Sequence, residues 1–193
     1  KKQMKYVGFQ KLKIIDRKVV KQFPEIYLDF NSIAKGYGID IIGRFLESKK
    51  IENYLVEIGG EIRSKGFKHA QKPWVIQLTN PINPDAQFKR LILSNKSMAT
   101  SGNYRKYSID ENGQKHVHTI NPKTGFATES NLLSASVIAN LDCANVDAYA
   151  TAFMAMGFEK TIAFLKKNPS LNVILYYINK EGVLSEYTNY KDL

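Results

Sequence analysis

Tight-turn signals between short strand patterns constrain the fold of this chain more than any other sequence feature. Gly59-Gly60, Asn112-Gly113 and Glu181-Gly182 each separate two runs that are rich in β-branched and aromatic residues. A turn this short joins antiparallel neighbours, because two parallel strands need a long crossover connection. The sequence therefore predicts hairpins and antiparallel pairing.

Three segments carry helical patterns instead. Apolar residues recur at helical spacing over residues 33–48, and an alanine- and methionine-rich run covers residues 143–156 and stops at Gly157. A third pattern covers residues 159–167. Helices and strands do not alternate regularly, so the order favours an α+β fold, with mixed or antiparallel sheets and packed helices, over a doubly wound one.

The remaining apolar runs are short and bounded by turn residues, as strands are. We predict strands over residues 26–29, 54–58, 61–66, 74–78, 91–93, 104–109, 115–120, 132–139, 173–178 and 183–187, with an edge strand or hairpin over residues 6–20. Residues 99–104 combine small hydroxyl residues with glycine, which is typical of a loop that contacts phosphate or ribose, and also of an ordinary turn.

Length and composition limit the class of protein. The 193 residues are predicted to form a single domain, 1–193, with a net charge of +10. The lysines are scattered without interleaved aromatic residues, so we expect no nucleic-acid partner. The single Cys143 excludes an intrachain disulfide and a cysteine-based zinc site. The chain opens with Lys1-Lys2-Gln3, without a signal peptide, so we expect a fragment or mature form of a longer protein.

The segment that opens the first helix is a candidate phosphate site. Asp29 ends a predicted strand, and Ser32 and Lys35 stand at the start of the helix, where unpaired N–H groups attract anions. A lysine in the first turn opposes the helix dipole, and a bound anion would explain it. The alternative is an exposed lysine beside an ordinary helix cap. Gly59 and Gly60 form a hairpin turn that would also let a ligand approach the backbone.

Two further patches supply a candidate base and a candidate metal site. His118 ends a predicted strand before the turn Asn121-Pro122 and is a candidate general base, or else a structural histidine. Asp147 and Thr151 lie four apart on one helix face, and hard oxygen ligands suit Mg²⁺. The alternative is an exposed aspartate with a threonine that bonds its own helix. Carboxylate, lysine and histidine together are the groups that pyrophosphate cleavage needs.

These motifs closely resemble, in order, those of the FAD:protein FMN transferases, the ApbE family. The resemblance rests on residues 29–40 (D-x-x-x-I-A-K-G-Y-x-x-D), 59–61 (G-G-E), 99–104 (A-T-S-G-x-Y), 118–125 (H-x-I-N-P-x-T-G) and 147–152 (D-A-x-A-T-A). It implies a T-fold-like architecture in which this chain corresponds to the C-terminal two-thirds and lacks the N-terminal part. Phe30-Asn31 stands where the family usually has glycine, a change that a carbonyl ligand at Ser32 tolerates.

The resemblance also implies roles for individual residues. His118 would be the base; the carbonyl of Ser32, with Asp147 and Thr151, would hold Mg²⁺. The residues that would contact FAD, the substrate, are Asp29, Lys35, Gly59, Gly60, Ser101, Gly102 and Ile120.

The reaction that the resemblance implies is Mg²⁺-dependent transfer of FMN from FAD to a Thr or Ser hydroxyl of an acceptor flavoprotein, with release of AMP. Two alternatives are an FAD pyrophosphatase, which would use water instead, and a noncatalytic flavin-binding fragment. The family resemblance further implies an exported, periplasmic or membrane-anchored lipoprotein, with membrane contact only through an N-terminal anchor upstream of this chain.

Overall fold

The computed structural model of the protein describes residues 2–78, 89–102, 107–109, 115–117, 120–126 and 130–191. Within these ranges it contains twelve strands, three α-helices and two short 3₁₀ turns at Lys2–Tyr6 and Phe9–Lys11. The helices are α1 (Ala34–Ser48), α2 (Cys143–Met156) and α3 (Phe158–Leu165). The strands are β1 (Leu12–Ile15), β2 (Lys18–Lys21), β3 (Tyr54–Ile58), β4 (Glu61–Lys65), β5 (Val75–Leu78), β6 (Lys89–Ile92), β7 (Ser97–Gly102), β8 (Tyr107–Ile109), β9 (Lys115–Val117), β10 (Leu132–Ala139), β11 (Asn172–Ile178) and β12 (Leu184–Thr188).

A six-stranded antiparallel sheet organises the fold, in the order β12-β11-β10-β7-β4-β3. Three two-stranded antiparallel sheets, β1-β2, β5-β6 and β8-β9, accompany it. The predicted hairpins β3-β4 and β11-β12 are confirmed, as is the pairing of β8 with β9, whose connecting Asn112-Gly113 lies outside the described residues. The α+β prediction with antiparallel sheets and packed helices is therefore confirmed.

The two faces of this sheet bury different cores. Ala135, Val137 and Val173 face α1, α2 and α3 and pack with residues such as Phe153 of α2. The opposite face packs mainly against β5-β6. The sheet contributes Ile62, Met98, Ile138, Ile174 and Tyr176 to this second core, and Leu91, Leu93 and Tyr190 pack against them. A register shift between Leu132 and Ser134 turns Leu132 toward the helical core, out of step with strict alternation.

Two sequence predictions about local structure are wrong. Residues 26–29 form no strand with any described neighbour, and Lys21 Nζ instead donates to the Ile26 carbonyl at 2.9 Å. Ser101 and Gly102, predicted in a loop, lie in strand β7, where they pair with Ala135 and Ser134. Small hydroxyl residues fit there because this end of β7 lies against α2. Tyr104 lies outside the described residues.

The two long helices cap each other through buried aspartates. Asp147 of α2 accepts a hydrogen bond from the Gly36 N–H in the first turn of α1, at 3.1 Å. Asp40 of α1 accepts from the N–H groups of Cys143 and Ala144, which open α2, at 2.8 and 2.9 Å. Each carboxylate therefore satisfies N–H groups that have no partner within their own helix and faces the positive end of a helix dipole.

Close approach at Gly36 makes this arrangement possible. A Cβ atom placed on Gly36 would lie 2.5 Å from the Cys143 carbonyl oxygen and 2.7 Å from Ala144 Cα. Both are backbone atoms of α2, so neither can move aside without shifting the helix. Glycine is required at this position for packing between helices.

Gly36→Ala and Gly38→Ala should change stability in opposite directions. The first forces α1 and α2 apart and should lower the free energy of unfolding by about 1–3 kcal/mol. The second places its Cβ no closer than 3.9 Å to a neighbouring atom, and replacing a helical glycine with alanine should raise it by about 0.5–1 kcal/mol. Urea unfolding followed by circular dichroism measures both. Equal effects of the two substitutions would contradict the close-packing role of Gly36.

Candidate functional site

Asp147 is the centre of the candidate site. Its side chain is only 3% exposed, which settles the alternative of an exposed aspartate. Asp147 Oδ2 accepts a hydrogen bond from the Gly36 N–H, while Oδ1 accepts no hydrogen bond from any described residue. Burial raises the pKa of Asp147, and the Gly36 hydrogen bond and the charge of Lys35 oppose that rise. A carboxylate with one oxygen fixed and the other without a donor is suited to bind a cation.

Lys35 forms an ion pair with Glu61 instead of projecting alone into solvent. Its Nζ lies 2.6 Å from Glu61 Oε2, and Glu61 is 2% exposed while Lys35 is nearly half exposed. The conflict between Lys35 and the helix dipole is therefore resolved within the chain by a carboxylate on β4. A bound anion is therefore not needed to explain this lysine, and its contact with an anion stays a prediction.

Glu61 is the residue that sequence reasoning missed. It follows directly after the Gly59-Gly60 turn and looked like part of a hairpin. In strand β4 it points to the helix-covered face, as Arg63 does two residues later, so both side chains reach α1. This alternation was a usable signal, since a polar residue on the buried face of a strand needs a partner.

Two buried carboxylates share one ammonium group at this point. Burial raises the pKa of Glu61, and the charge of Asp147 adds to the rise, while contact with Lys35 lowers it. With both acids ionised, the cluster of Glu61, Asp147 and Lys35 carries a net charge of −1. The electrostatic balance therefore favours a further cation near Asp147.

The hydroxyl groups predicted for the site lie together beside Asp147. Thr151 follows Asp147 by one helical turn, and its Oγ1 is 3.3 Å from Ser101 Oγ on strand β7. Both side chains are half-buried. The sheet and α2 thus line up a carboxylate and two hydroxyls on one side of the helix.

The Gly59-Gly60 turn borders the same cluster. Both glycines have positive φ, 60° and 98°, a conformation that other residues rarely adopt. A Cβ on Gly59 would lie 3.5 Å from Lys35 Cδ, whereas one on Gly60 would meet nothing within 4 Å. The turn therefore touches Lys35 on one side and leaves open space on the other.

Other predicted residues are not joined to the cluster by any described contact. Asp29 is exposed, and its carboxylate accepts from the Asn31 backbone N–H at 2.7 Å. Ser32 is half-buried in the turn before α1, and Ile120 is 59% exposed. Gly102 ends β7 one residue beyond Ser101. His118 lies outside the described residues.

A cavity of about 530 Å³ lies farther along α2. It is bounded by the turn at residues 121–126 and by the junction of α2 with α3, including Asn121, Phe126, Ala155 and Met156. Ala155 follows Thr151 by one turn, so the cavity continues the line of Asp147 and Thr151 along the helix. Ile120 directly precedes Asn121, one of the residues that line this cavity.

The donor set fits a hard divalent cation. It offers carboxylate and hydroxyl oxygens, which are ligands that Mg²⁺ accepts while keeping several waters. Within the described ranges, no group of three His, Cys, Asp or Glu residues is placed to hold a metal. A cation bound at Asp147 would therefore take further ligands from hydroxyl, carbonyl, water or substrate oxygens. No α-helix in the described part of the chain is long and apolar enough to cross a membrane.

Comparison with known proteins gives the class to which this fold belongs. The sequence model of the ApbE family matches residues 1–175. The chain therefore belongs to the ApbE family, and the resemblance seen in its motifs is confirmed.

Particular relatives are similar over most of this chain. The FAD:protein FMN transferase of Vibrio cholerae is 37% identical over 183 residues, 94% of this chain and 54% of the relative. That of Haemophilus influenzae is 36% identical over 179 residues, 90% of this chain and 50% of the relative. The chain thus spans about half the length of these curated relatives.

Solved structures of ApbE proteins superpose on most of this chain. The flavin transferase ApbE from Vibrio cholerae superposes with a TM-score of 0.83 at 32% identity, covering 97% of this chain and 58% of that one. The ApbE protein of Thermotoga maritima gives a TM-score of 0.80 at 26% identity, covering 95% and 59%. The antiparallel α+β architecture described above is therefore an ApbE architecture.

The stability of Glu61→Gln relative to the parent protein should increase as the pH rises. The pKa of Glu61 is raised above its ordinary value of 4.5 in the folded protein, so the stability that its carboxyl contributes is complete below that value and is lost as the pH rises through the raised pKa. Glutamine does not ionise and avoids this loss.

Melting temperatures at about pH 4 and about pH 8, below and above the ordinary glutamate pKa of 4.5, test this. The difference between the variant and the parent should shift in favour of the variant at the higher pH. Glu181→Gln, at an exposed turn, is the control and should track the parent at both. A shift in favour of the parent would show that ionised Glu61 is net stabilising beside Lys35.

Proposed function

We propose that this chain binds FAD together with Mg²⁺ and transfers FMN to a Thr or Ser hydroxyl of an acceptor flavoprotein, releasing AMP. The observation that carries the proposal is the burial and incomplete hydrogen bonding of the Asp147 carboxylate. It is buried, one oxygen is held by the start of α1, the other accepts from no described residue, and Lys35 and Thr151 lie beside it. The names of the relatives support flavin transfer as the general reaction.

The residues that would hold Mg²⁺ are Asp147, Thr151 and the carbonyl of Ser32. When bound, the metal would neutralise charge on the pyrophosphate of FAD. Asp147 contributes the negative charge that attracts the cation into a buried position. Its fixed Oδ2 prevents the carboxylate from rotating away, since rotation would leave the Gly36 N–H without a partner.

Lys35 has the exposure and the position to contact phosphate. Its ammonium is nearly half exposed while paired with Glu61, so one side remains open toward a ligand. Gly59 and Gly60 let a nucleotide pass close to the backbone beside it. An anion here would also face the N-terminal end of α1.

The transfer step itself needs a base and a leaving group. The acceptor hydroxyl would give its proton to His118, and its oxygen would attack the phosphorus on the FMN side of the pyrophosphate. The bond from that phosphorus to the bridging oxygen would break, and AMP would leave with the electron pair. Positioning and charge neutralisation would supply most of the rate, as in other phosphoryl transfers.

Asp147→Asn tests the metal assignment directly. Asparagine keeps an oxygen for the Gly36 N–H but removes the charge that attracts a cation. We expect the affinity for Mn²⁺, used in place of Mg²⁺ and followed by electron paramagnetic resonance, to fall by more than about 100-fold, beyond the typical effect of an outer-shell change. The melting temperature should stay the same or rise slightly.

Asp16→Asn removes an exposed carboxylate in the β1-β2 turn and is the matched control. It should bind Mn²⁺ as the parent does. Unchanged Mn²⁺ affinity in Asp147→Asn would show that the cation site lies elsewhere.

His118→Ala separates catalysis from binding. A base that acts on the acceptor hydroxyl does not hold FAD, so binding of FAD, followed by flavin fluorescence, should remain near that of the parent. Flavin transfer, followed as covalent flavin fluorescence of acceptor protein in denaturing gels, should fall by about 10²–10⁴-fold.

His116→Ala is the matched control and should have a much milder effect. Chromatography of the products distinguishes transfer from hydrolysis, since free FMN and AMP formed without any acceptor would indicate a pyrophosphatase. Equal losses of FAD affinity and transfer in His118→Ala would make His118 part of the binding surface and leave the base unassigned.

A further inference from the structure

Asp40 is the second buried aspartate of the helix pair, and it differs from Asp147 in that both of its carboxylate oxygens accept hydrogen bonds. It is 1% exposed, and its carboxylate is fully occupied. Oδ1 contacts Arg63 Nη1 at 2.6 Å and accepts from Cys143 N at 2.8 Å, and Oδ2 accepts from Ala144 N at 2.9 Å. These bonds leave Asp40 little capacity for a ligand, so its role concerns the structure around the site.

The start of α2 depends on Asp40 for its cap. The residue at the N-cap position, Asp142, makes no capping bond with its side chain. Its carboxylate instead contacts Arg44 at 2.6 Å and Arg63 at 2.8 Å. A carboxylate from another helix therefore takes over the capping function that Asp142 would ordinarily perform.

Arg63 ties this cap to the sheet. It is 18% exposed and links Asp40 of α1 with Asp142 at the start of α2. Its Nε also donates to the Tyr54 hydroxyl at 3.2 Å. One guanidinium group thus fixes α1 and α2 against strands β3 and β4, and it balances the charge of the buried Asp40.

The position of Asp147 follows from this cap. Asp147 lies one helical turn after Cys143, and Gly36 lies one turn before Asp40. The bonds from Cys143 and Ala144 to Asp40 and from Gly36 to Asp147 thus join the same two helices one turn apart. If the first turn of α2 shifts, the distance between Asp147 and the Gly36 N–H changes with it.

We propose that Asp40, held by Arg63, is a positioning residue that sets the geometry of the cation site at Asp147 by fixing the start of α2 on α1. The identity of that site rests on the proposed function. Asp40 itself touches neither cation nor flavin. Outer groups that orient a metal ligand typically change metal affinity by about 10–100-fold when they are mutated.

Asp40→Asn tests this proposal, with Mn²⁺ alone as the probe. Asparagine keeps the shape but loses the charge that Arg63 pairs with and one of the two capping oxygens. We expect the dissociation constant for Mn²⁺, measured by electron paramagnetic resonance at a temperature where every variant is folded, to rise by about 10-fold or more. Exchange of the Gly36 amide hydrogen, followed by NMR, should become faster relative to global unfolding because its bond to Asp147 is weakened.

Ile174→Ala is the control for lost stability alone. Ile174 is buried on the opposite face of the sheet, so its truncation destabilises the fold without touching the helix pair. In Ile174→Ala, the Mn²⁺ dissociation constant should be unchanged. Exchange of the Gly36 amide, taken relative to global unfolding, should also be unchanged.

Three outcomes are informative. The positioning role is supported if Asp40→Asn, but not Ile174→Ala, binds Mn²⁺ more weakly and exchanges the Gly36 amide faster relative to global unfolding. Parent-like Mn²⁺ binding in Asp40→Asn overturns that role and leaves the proposed function standing. A parent protein that binds no Mn²⁺ overturns the proposed cation site, and the positioning role with it, whatever Gly36 exchange shows.

Discussion

Reciprocal capping of α1 and α2 by each other's aspartates is the interaction on which the rest of the structure depends. Each helix begins against the other, so neither start is completed by its own sequence. Gly36 lets the backbones approach closely enough for Asp40 and Asp147 to reach across. The sheet contributes Glu61 and Arg63 from one face of β4, and these two side chains hold α1 by Lys35 and Asp40.

The difference between the two capping aspartates separates structure from function. Asp40 has a cation and two N–H donors, which satisfy a buried charge. Among the described residues, Asp147 has one N–H donor and shares Lys35 with Glu61, so its charge is only partly compensated. A buried carboxylate that is under-compensated costs stability unless a cation or a proton joins it, and the raised pKa of Asp147 reflects that cost.

Local patterns in the sequence were sufficient for most elements of the fold. The bounds of β3, α2 and β10 match the predictions, because glycine turns and helical periodicity are local signals. The placement of Asp147 and Thr151 on one helix face also followed from spacing alone, whereas the burial of Asp147 did not. What local patterns do not contain is contact over long separations: the partner of Lys35 is Glu61, and the cap of α2 is Asp40, about a hundred residues away. Residues 26–29 and 101–102 were misjudged for the same reason, since only neighbouring strands decide whether an extended segment joins a sheet.

The most direct measurement for this account is anomalous diffraction from crystals of the protein grown with Mn²⁺ and FAD. The account predicts a single strong peak about 2.0–2.3 Å from an oxygen of Asp147, close to the metal–oxygen distances of small divalent cations, with Thr151 Oγ1 beside it and the FAD pyrophosphate within reach of Lys35. A peak at Asp40, beside Arg63 and Asp142, or away from both helix starts would contradict it.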